Sequence, residues 1–171
     1  MKITISGPPG SGKTTVAKIL SERLKIKLIS AGSIFRQLAS ERGMSVEEFS
    51  KFAEENPEVD LLIDRIQKEV AEREKDAIVE GRLSAWMVKD ADLRVLIFAD
   101  AEVRYSRIAK REGKDIQIVR KETRMREEME KRRYQKFYNI NVDDWSVYDL
   151  IINSTRISAD KIAEIIINAL K

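Results

Sequence analysis

The sequence predicts an α/β domain in three layers, a five-stranded parallel sheet flanked by helices, and three observations predict it. Five short, apolar, β-branched stretches alternate along the chain with longer segments of helical periodicity. Such alternation returns the chain across a sheet to add each strand in parallel, which buries both sheet faces. Finally, 171 residues without internal repeat, low-complexity stretch or linker suit a single domain over residues 1–171.

The first strand is Lys2 to Ser6, closed by Gly7-Pro8-Pro9-Gly10. A helix follows from about Gly12 to Leu24, with Val16, Ala17, Ile19, Leu20 and Leu24 on one side. Lys27 to Ser30 is the second strand, and Ala31-Gly32 turns the chain into a helix near Ser33 to Arg42. Ser45 opens the next helix, since Glu48 follows it at capping-box spacing. Pro57 divides that helix from another, Val59 to about Lys75. Ala77 to Glu80 and Leu93 to Phe98 are the third and fourth strands. From Asp100 a long, charged helical region runs on, interrupted at Gly113. Tyr148 to Asn153 is the fifth strand, and Ser158 caps a last amphipathic helix.

Composition excludes several classes of function. With 43% hydrophobic and 36% charged residues the chain is no disordered segment, and every apolar run is too short to span a bilayer. Met1 leads straight into the first strand, so no signal peptide is expected and the location expected is cytoplasmic. Without cysteine there is no disulfide framework, thiol nucleophile or thiolate metal site. Without histidine the commonest general base is missing too. A net charge of +3 does not by itself call for nucleic acid, and the placement of the charges matters more.

Gly7-Pro8-Pro9-Gly10-Ser11-Gly12-Lys13-Thr14 satisfies G-x-x-x-x-G-K-[ST] and lies where that pattern must, between a strand and a helix. Glycines let the backbone approach phosphate closely, and successive N–H groups at a helix N-terminus form a nest for anions. Lys13 is placed to neutralise the β- and γ-phosphates and the Thr14 hydroxyl to ligate Mg²⁺; Thr15 completes the ATP-binding candidates. A metal-side carboxylate is expected at the end of a neighbouring strand, and two qualify. Glu80, acting through water, is preferred because Gly81-Arg82 follow it; Asp100 could equally cap the helix that begins there.

Arginines are the third feature. Arg36 lies just past the second strand, Arg82 leaves the third, and Arg124, Arg126, Arg132 and Arg133 crowd one helix, with Arg104, Arg107 and Arg111 before them. Most charges on helix faces are simply solvated. Phosphoryl transfer between two anions, however, needs guanidiniums to screen repulsion and stabilise the oxygens in flight. A lid over about 111–133, following the break at Gly113, suits that need.

Gly7 to Thr14, Ser30-Ala31-Gly32-Ser33-Ile34-Phe35-Arg36 and Glu80-Gly81-Arg82 resemble the nucleoside monophosphate kinases, most closely the short, archaeal-type cytidylate kinases. The resemblance runs the whole length and implies a P-loop kinase fold, with a helical monophosphate-binding cap at about 37–70 and a short lid. It implies transfer of a phosphoryl group from ATP to CMP or dCMP with Mg²⁺ by a monomer. Lys13, Arg82, Arg126 and Arg133 would be catalytic; Ser30, Gly32, Arg36, Arg82 and Glu130 would hold the acceptor, together with Asp64 and Arg65 at the cytosine edge. Bacterial relatives carry Asp where this chain has Leu83, so base recognition here must differ. For adenine, Arg104 and the Asn153-Ser154-Thr155-Arg156 loop are the candidates.

Two other readings stay open at this point. Another small P-loop kinase, acting on AMP, UMP, shikimate or dephospho-coenzyme A, would use the same cleft. A nucleotide-dependent RNA-binding module would use the basic 104–136 region, with Tyr134, Phe137 and Tyr138 stacking on bases. Those aromatics stand three and four apart, the spacing of a core-facing helical stripe, so nucleic acid is not expected as a partner.

Overall fold

The computed structural model describes all residues, Met1 to Lys171. The elements in order are β1 (Lys2–Ser6), α1 (Lys13–Leu24), β2 (Lys27–Ser30), α2 (Ala31–Glu41), α3 (Val46–Glu55), α4 (Glu58–Arg73), β3 (Ala77–Glu80), α5 (Ser84–Met87), β4 (Leu93–Phe98), α6 (Ala101–Glu112), α7 (Ile116–Tyr138), β5 (Leu150–Asn153) and α8 (Ala159–Ala169). All five strands form one parallel sheet in the order β2-β3-β1-β4-β5. The central strand β1 is buried throughout, as both covered faces require. Ile3, Ile5, Ile78, Val95, Ile97 and Ile152 meet Val16, Leu20, Ile162 and Ile166 of α1 and α8 in the main core.

A second face is closed by α4, and beyond it α2, α3 and α4 carry a small core of their own, Ala39, Phe49, Ala53, Val59 and Ile63. The residues expected as a cap thus have their own apolar centre, inserted between the C-terminal end of β2 and the start of β3. On the opposite flank α6 and α7 fold back on each other about Tyr105, Ile108 and Val119. Gly113, left-handed at φ 65°, ends α6. The residues expected to form a lid, about 111–133, thus span the tip of this hairpin and most of a 23-residue helix. No helix is long and apolar enough to cross a membrane.

Boundaries differ from expectation in three places. Ser30 ends β2 and at once caps α2, its hydroxyl accepting from the Ser33 N–H, so Ala31-Gly32 is the first helical turn. The fifth strand starts at Leu150 because pairing with β4 begins there; before it come a 3₁₀ turn, Trp145–Val147, and Tyr148 packed edge-on against Trp86. The four-residue α5 is too short to leave a periodic signal.

Candidate active site

The phosphate loop leaves β1 at the centre of the sheet and ends in α1, so it faces the crevice beyond the strand C-termini. Gly10 sits at φ 77°, and a Cβ there would lie 2.7 Å from the Arg104 carbonyl oxygen, so only glycine fits. Within the loop the Ser11 N–H donates to the Pro8 carbonyl at 3.2 Å. The N–H groups of Gly10, Gly12, Lys13, Thr14 and Thr15 have no backbone acceptor, and the positive end of α1 adds to them. Lys13 lies under this nest, its Nζ 4.0 Å from Glu80 Oε1. Burial pushes its ammonium below the ordinary lysine value, while Glu80 pulls it back up.

Glu80 is buried at the end of β3 and its Oε2 accepts from the Ser30 hydroxyl at 2.9 Å. Gln67 of α4 donates to the Glu80 and Ile29 carbonyls at 2.7 and 3.3 Å, locking β2, β3 and the cap together below the carboxylate. Asp100 accepts from the Glu102 N–H as the exposed cap of α6. Of the two acidic candidates, then, Glu80 stands beside Lys13 and Asp100 is engaged as a helix cap. The oxygens at the loop are the exposed Thr14 hydroxyl and the Glu80 carboxylate, with no cluster of three or more acidic, Cys or His ligands. So few protein donors suit a cation that keeps its waters and shares substrate phosphates, as Mg²⁺ does.

Across the cleft, Glu130 of α7 is buried between two arginines. Its Oε2 accepts from Arg82 Nε at 3.3 Å and its Oε1 from Arg126 Nε at 3.0 Å. Burial works to raise the Glu130 carboxyl, but Arg126 and Arg82 outweigh it and hold it below the ordinary glutamate value. Arg133 reaches from α7 to Asp60 of α4, Nη1 to Oδ2 2.9 Å, while its buried Nε has no partner. Arg36 is exposed beside Gly32, its Nη2 donating to the Ser33 hydroxyl at 3.1 Å and to no carboxylate. The charges of Lys13 at the start of α1, Arg82 after β3, and Arg126 and Arg133 of α7 thus gather about Glu130, while Arg36 lies on α2 beyond Ser30.

Asp64, one turn beyond Asp60, accepts from the Tyr138 hydroxyl at 2.9 Å through Oδ2; Oδ1 has no hydrogen bond. Burial raises its carboxyl from 3.8 to about 6, against the pull of the Tyr138 hydrogen bond. Such a carboxyl takes up its proton more readily in the folded chain than in the unfolded one. Its contribution to stability therefore falls as pH rises from about 4 to 6 and is constant above. Asp64→Asn keeps the hydrogen bond and removes this cost. Its melting temperature relative to wild type should be higher at pH 7 than at pH 4.5 by on the order of 5 °C. An offset equal at both pH values in calorimetry would refute the raised carboxyl.

Other expectations meet different outcomes. Arg65, next to Asp64 but about 100° round the helix, is exposed and makes no hydrogen bond or ion pair. Leu83 is buried against Tyr134 and Val142. Tyr134 is buried and Tyr138 half-buried, as a core-facing stripe requires, but Phe137 at 45% exposure is not part of it. Arg104, expected near adenine, is buried behind the loop with its Nε and Nη1 on protein oxygens. Sequence reasoning missed Asp60 and Tyr138. For Asp60 a signal existed, since Asp60 and Asp64 at i and i+4 share one helix face, flanking the one that buries Val59 and Ile63. Nothing local marked Tyr138.

The cytidylate kinase-like family model matches residues 2–156 of the chain. A cytidylate kinase of Archaeoglobus fulgidus is 68% identical over 171 residues, covering 100% of this chain and 95% of that one. One from Methanothermobacter thermautotrophicus is 52% identical over 160 residues, covering 94% and 99%. Among solved structures, a shikimate kinase from Acinetobacter baumannii in complex with shikimate superposes with a TM-score of 0.68 at 17% identity, over 99% of this chain and 92% of that one. An uncharacterised protein from Eubacterium ventriosum gives 0.72 at 21%, over 99% and 98%. At such identities these two structures speak for the fold alone, and the expected P-loop kinase architecture is the one found.

Proposed function

The chain belongs to the cytidylate kinase-like family, and we propose that it transfers the γ-phosphoryl group of ATP to CMP, and to dCMP, releasing ADP and CDP or dCDP. The observation that carries this reading is one crevice with two anion sites, open loop amides over Lys13 on one side and the arginines around Glu130 on the other. A phosphate oxygen of CMP attacks the γ-phosphorus, the bond from that phosphorus to the β,γ-bridging oxygen breaks, and its electron pair leaves on ADP. The attacking oxygen is already anionic, so no general base is needed, in keeping with a chain that has no histidine. Positioning and charge carry the catalysis.

In this reading the loop from Gly7 to Thr15 holds the triphosphate, and Lys13 steadies the β- and γ-phosphates. Arg36 and Arg82 hold the acceptor phosphate, with Ser30 and Gly32 beside them. Arg126 and Arg133 close from α7 onto the transferring group, and Glu130 aligns Arg82 with Arg126 until the acceptor ribose arrives. Thr14 and Glu80 would hold Mg²⁺, which when bound neutralises charge on the β- and γ-phosphates. Asp64 takes the cytosine amino group on its free oxygen while Tyr138 keeps the other occupied. Arg65, exposed beside Asp64, is the second candidate at the cytosine edge. Uracil offers an oxygen at that position, which a carboxylate repels. In this reading the protein acts as a monomer, in the cytoplasm with its nucleotide substrates.

An ADP-release assay with ATP and Mg²⁺ tests the reading, with CMP, dCMP, UMP, AMP and shikimate as acceptors. CMP and dCMP should be preferred over UMP by at least tenfold in kcat/KM, and Asp64→Asn should narrow that preference to a few-fold, the loss of one polar recognition contact. Turnover confined to another acceptor would discard the cytosine assignment.

A further inference from the structure

Three consecutive carbonyls of the phosphate loop are held from behind by side chains. Arg104 Nη1 donates to the Pro9 carbonyl at 3.1 Å, Arg107 Nη1 to the Gly10 carbonyl at 3.1 Å, and Ser154 Oγ to the Ser11 carbonyl at 2.6 Å. In a trans peptide the carbonyl of one residue and the N–H of the next point opposite ways. Holding these carbonyls toward α6 and the end of β5 therefore turns the N–H groups of Gly10 and Gly12 toward the crevice. The nest owes its shape to this frame as well as to its own glycines.

Arg104 alone of the three also reaches α7. Its Nη1 also donates to Glu127 Oε1 at 2.6 Å, and its Nε to the Ala99 carbonyl at 3.3 Å at the end of β4. Arg104 is 9% exposed and Glu127 23%, so the pair is largely shielded from water and its charge-assisted bond is strong. Glu127 stands next to Arg126 on α7, the helix that also carries Glu130 and Arg133. One guanidinium nitrogen thus bonds the phosphate loop and the lid helix together. The contact is tight, because a Cβ on Gly10 would meet the Arg104 backbone at 2.7 Å.

We propose that Arg104 and Glu127 form a positioning link that couples the lid helix to the phosphate loop, so that the affinity for ATP depends on whether CMP is bound. Engagement of the acceptor draws on Arg126, Arg133 and Glu130, all on α7. A shift of that stiff helix moves Glu127, and through Arg104 it moves the Pro9 carbonyl and the Gly10 N–H on the same peptide. Both act through protein groups in this reading, Arg104 on the Pro9 and Ala99 carbonyls and Glu127 on Arg104, and so are positioning residues. The link rests on the reading of the crevice as the ATP and CMP site.

Equilibrium binding of a non-hydrolysable ATP analogue with Mg²⁺, measured with and without saturating CMP, tests it on the full chain. Wild type should bind the analogue more tightly with CMP present, within the usual coupling range of about 5- to 150-fold. By reciprocity the analogue should tighten CMP by the same factor. In Glu127→Gln that ratio should collapse to below twofold in both directions. Arg104→Lys, which keeps the charge but cannot span Ala99, Pro9 and Glu127 together, should lose it likewise. A merely structural role would lower the melting temperature, and affinities alike, and leave the ratio intact; that result overturns the link. A wild type whose affinity for the analogue ignores CMP overturns it too. Failure of wild type to bind the analogue at all would overturn the proposed function itself, a separate and recognisable outcome.

Discussion

Lys13→Met is expected to lower kcat by about 10²–10³, the usual cost of removing one electrostatic contact to the transition state. Methionine keeps the unbranched stem that packs under the loop and removes only the ammonium. In the structure that ammonium lies 4.0 Å from the buried Glu80 carboxylate, so its removal also leaves a buried charge without its cation. The melting temperature should therefore fall by roughly 6–20 °C, and turnover should collapse even when it is measured well below that transition. Measured at saturating ATP and CMP, a variant that kept more than a tenth of kcat would remove Lys13 from the transferring phosphoryl group. The split matters as much as the size: Lys13 acts where charge develops, so kcat should fall further than CMP binding weakens.

Gly7→Ala is the substitution expected to damage both fold and function. A Cβ on Gly7 would lie 2.2 Å from the Ile97 carbonyl oxygen, so backbone would have to part from backbone between β1 and β4. No rotamer relieves that clash. Overpacking of this kind costs about 3 kcal/mol, which for a chain of this size lowers the melting temperature by roughly 6–12 °C. Because Gly7 opens the phosphate loop, the same displacement should weaken ATP binding by more than tenfold even where the variant remains folded. Calorimetry and nucleotide titration on one preparation check both effects. Stability within 1 kcal/mol of wild type would mean that β1 and β4 have room the structure does not show.

Much of this molecule was legible in its residues. Alternating apolar stretches sufficed for five parallel strands, since each element's burial leaves its own period in the chain. Gly7 to Thr14 carried its chemistry locally, because a nest of amides at a helix start needs small residues at particular offsets and nothing from elsewhere. Glu80-Gly81-Arg82 was readable for the same reason: the end of a buried strand tells where its next side chains emerge. Ser30 stood out in its motif, although its service as both strand end and helix cap was not readable.

Distant pairings were decided elsewhere. Along α7 nearly every turn carries Arg, Lys and Glu, and one charged position looks like the next in sequence. Only the packing of α7 over β3 and α4 selects Glu130 to sit between Arg82 and Arg126, sends Arg133 to Asp60, and brings Tyr138 to Asp64. Only the seating of α6 behind the loop turns Arg104 from an expected adenine contact into a buried brace on Pro9 and Glu127. The sequence by itself determined the fold class and the anion-binding loop, both of which rest on short-range periodicity and local backbone chemistry. Tertiary structure alone decided which charges meet, because a Coulomb partner is chosen by distance through space and by shielding from water, and neither is written in the order of residues along the chain.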